Sequence, residues 1–330
     1  MDRRLACLAA FVLALAVAAA GCTGPSPPAR SAWAFSMVQV DALLAQGLTG
    51  AGVTVAVIDT GVDLEHPNLR GITLAFWEDL VSGVATPYDD NGHGSAMVSI
   101  LAGRGSLAGG APGVSLIVIK AIAADGGGTD EVVATAITDA ASHGADIISL
   151  SLGGAAAKLL RILGSASVNA AQAAAAQGVL VVGSAGNDGE ADDGQVASPS
   201  VARDAISVGA VDQAGLIAPF SSAGRAIPLQ GNPDGKPEVV APGVDITVAW
   251  TQGQTATVSG TSPAAVFASA GLALLLEMKP AYKRAGAAGV DAVKNALMSS
   301  TRAVSGQATP HDAHYGYGIL QAQGAAALLP

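Results

Sequence analysis

The chain has 330 residues, half of them hydrophobic and only 4% aromatic, enough apolar material for one large domain with a buried core. A formal net charge of −10, with 13% charged residues and no basic stripe, argues against binding to nucleic acid or to anionic lipid. Both cysteines, Cys7 and Cys22, fall near the N-terminus, which excludes a disulfide framework in the remainder.

The first segment reads as an export signal. Arg3 and Arg4 precede an apolar run, Leu5 to Ala20, that is too short and too N-terminal for an ordinary membrane span. The run ends in Ala19-Ala20-Gly21-Cys22. Small residues directly before a cysteine resemble the bacterial lipobox, which implies lipidation of Cys22 as the mature N-terminus. The other reading is plain signal-peptide cleavage after an alanine. Thr23 to Ser31, with Pro25, Pro27 and Pro28, has the composition of a stiff tether. The expected organisation is a signal over residues 1–21, a Pro-rich tether over 22–35 and one domain over 36–330. The expected location is outside the cytoplasm, with Cys22 as the sole membrane contact, or else secreted, and the domain is expected to be monomeric.

From about Trp33, strand and helix patterns alternate. Val53 to Asp59, Leu116 to Ala121, Ile147 to Leu152 and Val179 to Val182 are short Val/Ile-rich runs. Continuous apolar runs of that length fit strands covered on both faces. Thr129 to His143 opens with a capping threonine and two acidic residues and stops at Gly144, a helix signature. Ala157 to Gln177, Ser262 to Met278 and Asp291 to Thr301 are further helix candidates. The alternation predicts an α/β fold: a doubly wound, mostly parallel sheet flanked by helices, in a single domain.

Three segments carry chemistry. Val55-Ala-Val-Ile-Asp59-Thr-Gly61 puts Asp59 at the carboxyl end of a buried strand, the edge where open α/β sheets bind ligands. Asp89-Asp-Asn-Gly92-His93-Gly94-Ser95 puts His93 at a helix start between glycines. Ser259-Gly260-Thr261-Ser262-Pro263 puts Ser262 at another helix start, where free N–H groups favour developing negative charge. Nucleophilic acyl transfer needs these three groups: a serine hydroxyl, an imidazole to take its proton near neutrality, and a carboxylate to orient the imidazole.

The chain resembles the subtilases, the subtilisin-like serine proteases, over roughly Val38 to Ala326. The resemblance rests on DTGVD at Asp59, GHGS at His93, SLGG at Ser151 to Gly154, AGNDG at Ala185 to Gly189, KPEVVAPG at Lys236 to Gly243, GTS at Ser262 and YGYG at Tyr315 to Gly318, all in family order. It implies a serine endopeptidase with Asp59, His93 and Ser262 as the triad and Asn187 as the side-chain donor of the oxyanion hole. It also implies that Gly126, Gly127 and Gly128 on one side and Ser151, Leu152 and Gly153 on the other pair with an extended polypeptide. Gly183, Ser184 and Ala185 would line the pocket for the residue before the scissile bond, with Asp188 at its rim. A catalytically silent, lipid-anchored peptide-binding scaffold of the same fold is the alternative.

Departures from the family pattern carry expectations of their own. Pro263 stands where subtilisins commonly have Met, Val266 where they have Pro, and Ser95 where they have Thr. Gly103 to Pro112 is short and free of carboxylates, so the usual calcium loop is not supported and no metal or cofactor is expected. Asp188, Glu190, Asp192 and Asp193 read as a solvated acidic loop. Ser198-Pro199 is expected to be cis. His66 is expected to face solvent, His143 to end a helix, and His311 and His314 to lie in a loop without a zinc-ligand pattern.

Overall fold

In the computed structural model, which describes residues 29–152, 165–189, 196–224 and 235–330, the Val/Ile runs form the centre of a sheet. β1 (Thr54–Asp59) pairs in parallel with β3 (Ser115–Lys120) on one side and β4 (Ile147–Leu150) on the other. β2 (Thr73–Asp79), β5 (Leu180–Ser184), β6 (Ile206–Val211) and β7 (Val239–Pro242) complete the order β2-β3-β1-β4-β5-β6-β7, with every pairing parallel. Side chains alternate between two cores. Val55, Val57, Leu116 and Val118 enter one, and Ala56, Ile58, Ile117 and Ile119 the other. This two-sided burial is why the runs read as continuously apolar.

The first core lies under α3 (His93–Ala102) and α6 (Thr261–Met278), the second under α4 (Asp130–Ser142) and α5 (Ala166–Ala176). Thr129 caps α4 by accepting from the N–H of Val132, and Ser165 caps α5 by accepting from that of Val168. α6 is long and apolar enough to cross a membrane, yet 89% of it is buried inside the protein. A helix apolar all round is what a central core position demands. α8 (Ala322–Leu328) packs against α6, α7 (Gly286–Ser300) packs against α8 and α5, and β8 (Ile246–Ala249) and β9 (Thr255–Val258) form an antiparallel hairpin.

Several expectations are corrected. The boundary at residue 36 does not match the packing, because α1 (Ala32–Met37) belongs to the domain. Phe35 is buried, with its ring edge-on to Phe267 at 4.9 Å, and Arg30 lies over the Phe35 ring at 4.5 Å. α2 (Val40–Leu44) adds the fully buried Val40 and Leu43. His66 does not face solvent. It is 1% exposed, its Nδ1 accepts from the N–H of Asn68 (3.1 Å) and its Nε2 bonds the Gln254 carbonyl (2.7 Å). His143 ends α4 as expected and stacks on Phe76. Cys22, the signal, most of the proposed tether and Gly153 lie outside the described residues, as does the first part of the helix expected over 157–177.

Candidate active site

Asp59 is the last residue of the central strand and is 1% exposed. The chain leaves through Gly61 at φ 119°, where a Cβ would sit 2.0 Å from the Tyr88 carbonyl. His93 begins α3. A Cβ on the next residue, Gly94, would lie 2.1 Å from the Gly61 carbonyl, so the two segments approach backbone to backbone. This closeness brings His93 Nδ1 to 2.7 Å from Asp59 Oδ1, which also accepts from the N–H of Thr60 at 2.7 Å. An ionised carboxylate only accepts, so the imidazole carries its proton on Nδ1 and leaves Nε2 as a base. Burial is the largest influence on this imidazole and pulls its pKa down. The charge and hydrogen bond of Asp59, with the charge of Asp89, outweigh it and leave the pKa above the ordinary 6.5.

Ser262 sits in the first turn of α6, after Gly260. Its Oγ donates to the Ser151 carbonyl at 2.9 Å, and Ser151 Oγ donates back to the Ser262 carbonyl at 3.2 Å. Among the described residues no hydrogen bond joins Ser262 to His93; the hydroxyl is turned onto Ser151. Asn187 lies across the same turn. Its Oδ1 accepts from both the N–H and the Oγ1 of Thr261, each at 2.9 Å. A backbone N–H can only donate, so the amide cannot be flipped, and Nδ2 is its free end. A Cβ on Gly260 would lie 3.4 Å from that Nδ2, which places this amide N–H group beside the turn that carries Ser262.

Residues 50–318 match the Subtilase family profile. The chain belongs to the subtilase family. It is 32% identical over 298 residues to subtilisin DY of Bacillus licheniformis, covering 89% of this chain and 98% of that one. It is 32% identical over 256 residues to subtilisin Savinase of Lederbergia lenta, covering 76% and 86%. Serine protease AprX of Bacillus subtilis (strain 168) is 34% identical over 268 residues, covering 71% and 59%. This subtilase is therefore a serine-type endopeptidase, and its substrate is polypeptide.

The subtilase has a cleft of about 650 Å³ whose lining includes His93, Gly126, Gly128, Ser151 and Leu152. The expected cis Ser198-Pro199 bond is present, and both its residues are on the wall. Gly127 is exposed but is not one of the wall residues. Gly183, Ser184 and Ala185 are not among these wall residues. They are buried in and just after β5, where Ser184 Oγ holds the Leu152 carbonyl at 3.1 Å and Gly183 leaves room for Ser200. Asp188 is exposed. Asp130 and Glu131 also reach the cleft; the acidic first turn of α4 was the signal, read in sequence only as a helix start.

Among the described residues, no group of three or more His, Cys, Asp or Glu could hold a metal ion. Direct hydrogen bonds tie down the carboxylate-free loop after α3. Asn68 Nδ2 donates to the Arg104 carbonyl (2.8 Å) and Arg30 Nη1 to the Ala108 carbonyl (3.1 Å). The Arg30 N–H donates to the Ser106 carbonyl (3.0 Å).

Proposed function

We propose that this subtilase hydrolyses peptide bonds through an acyl-enzyme on Ser262. The observation that carries the reading is the 2.7 Å Asp59–His93 hydrogen bond, which sets the tautomer and leaves Nε2 as the base. Ser262 Oγ leaves the Ser151 carbonyl, gives its proton to His93 Nε2 and attacks the scissile carbonyl; catalytic hydrogen bonds often tighten only with substrate present. The oxyanion takes hydrogen bonds from Asn187 Nδ2 and the Ser262 N–H. One such donor is worth about 2.7–4 kcal/mol of transition-state stabilisation, a magnitude that comes from subtilisin itself rather than from this chain. His93 then protonates the leaving amine, and water, deprotonated by His93, releases the acyl group. The substrate runs extended between the Gly126–Gly128 segment and Ser151–Leu152, pairing through main-chain hydrogen bonds.

A fluorophosphonate probe tests this. It labels the wild-type chain, and labelling disappears in Ser262→Ala. A folded wild-type chain that stays unlabelled would favour the silent-scaffold reading instead, against which the complete set of Asp59, His93, Ser262 and Asn187 argues. In the same reading the chain is exported and tethered through lipidated Cys22, supported by the small residues before that cysteine. Cys22→Ser then shifts the protein from the membrane fraction to the soluble one.

A further inference from the structure

We propose that Thr60 is the positioning residue of the Asp59–His93 pair, held for that task by two side chains of opposite charge, Asp89 and Lys120. Thr60 is 3% exposed, and its polar groups reach four different partners. The N–H donates to Asp59 Oδ1 (2.7 Å) and the hydroxyl to Asp89 Oδ1 (2.9 Å). The same Oγ1 accepts from the N–H of Gly94 (2.9 Å), and the carbonyl accepts from Lys120 Nζ (2.7 Å). One end of Thr60 therefore grips the carboxylate, and the other grips the backbone one residue beyond the imidazole. No other residue bonds both sides of the pair in this way among the described residues.

The two charges make that grip rigid. Asp89 also accepts from the N–H groups of Asn91 (3.1 Å), Gly92 (2.8 Å) and Ser95 (2.8 Å), and from Ser95 Oγ (2.7 Å). It thereby fixes the start of α3, where a negative charge suits the helix dipole. Burial is the largest influence on Asp89 and acts to raise its pKa, but the hydrogen bonds from Gly92, Ser95 and Asn91 hold it below the usual carboxylate range. Lys120 is 0% exposed and sits opposite Asp59 in the β1–β3 register. Its ammonium donates to Thr60, to Asp90 Oδ1 (2.7 Å) and to the Ile122 carbonyl (3.0 Å), which uses all three of its protons. An anion fixed to the helix and a cation fixed to the neighbouring strand thus hold Thr60 from two sides. The charged groups around the imidazole are Asp59 from β1 and Asp89 from the loop before α3, with the Lys120–Asp90 pair behind Thr60.

A merely structural Thr60 would affect how much protein folds, not how each folded molecule works. The test therefore compares Thr60→Val, which keeps the branched shape and removes both hydroxyl bonds, with Thr60→Ser, which keeps the hydroxyl. Rates are expressed per site titrated with a fluorophosphonate, and the His93 ring pKa is followed by NMR. Thr60→Val is expected to lower kcat by about 10–100-fold with KM little changed, the scale of a sub-ångström to ångström misplacement. It should also lower the His93 pKa, because the imidazolium loses part of its grip on Asp59. Thr60→Ser should recover most of the rate and the wild-type pKa. A folded Thr60→Val with wild-type kcat and an unshifted His93 would overturn the proposal. The NMR reading needs no turnover, so it stands apart from failure of the catalytic assignment: an unlabelled wild type sinks that assignment, while the ring pKa still decides Thr60.

Discussion

At the scale of single residues, the proposed mechanism makes His93 the group that sets the pH dependence. The base must be neutral, and its raised pKa places the acid limb of kcat/KM above pH 6.5. Asp59→Asn removes the main raising influence, so the limb should move down while kcat falls by orders of magnitude; a pH–rate profile checks both. The stability signs are opposite for the two groups around the site. A raised His93 contributes stability fully at pH below its unfolded value, and this is lost as pH rises through the folded one. Asp89, whose pKa is lowered, contributes above the ordinary carboxylate range and loses that contribution as pH falls through its folded value. Pro263 lies in the first turn of α6, where its missing N–H has no helical partner. With no thioether at that position, and Met97 fully buried, activity should survive mild peroxide; residual activity read beside mass spectrometry of the methionines decides this.

Among the elements, the start of α3 tolerates the least change. Gly92 has φ 108°, and a Cβ there would meet the Trp250 ring at 2.7 Å, so a side chain is excluded by backbone and space together. Trp250 follows β8, and the hairpin that carries it is pinned by the buried His66 bond to Gln254. Gly94→Ala would press a methyl into the Gly61 carbonyl. It should cost roughly 1–3 kcal/mol in denaturant unfolding and separate Asp59 from His93, visible as lost labelling of Ser262. At the other end of the sheet, Glu238 of the β7 approach is 1% exposed between Lys236 (2.8 Å) and Lys294 (3.0 Å). Glu238→Gln removes the carboxylate charge from both of these buried ion pairs. It should destabilise the fold by about 3–5 kcal/mol in a urea titration, far more than a surface pair would.

For the whole molecule, direct bonds fasten the loop after α3. The segment from Arg30 to Phe35 closes the structure over the loop after α3, through Arg30 to Ser106 and Ala108 and through Phe35 to Phe267. Asn68 fastens the same loop from the turn after β1. With these direct bonds carrying the load, chelation by EDTA should leave both Tm and kcat unchanged. Arg30→Ala should lower Tm; a chelator-induced drop in Tm would show that a cation shares the work.

What the sequence determined by itself is local chemistry. Asp59 at a strand end, His93 and Ser262 at helix starts, and glycines beside them are signals within a few residues; the structure sets Asp59 against His93, while the Ser262 hydroxyl turns onto the Ser151 carbonyl, a contact that no local signal gave. The doubly wound sheet was readable for the same reason, because both faces of its central strands are covered and periodicity disappears into continuous Val/Ile runs. The outer strands were not readable: β2 alternates between exposed and part-buried positions, β6 contains a glycine and β7 ends in Pro242. Only the tertiary structure decided that His66 is buried, since its partner Gln254 is 188 residues away. It alone moved Arg30 to Phe35 from tether to domain, oriented the Asn187 amide through Thr261, and set Thr60 between Asp89 and Lys120. Each of these depends on contacts between segments distant in the chain, and no pattern confined to one stretch of sequence encodes which distant group will arrive.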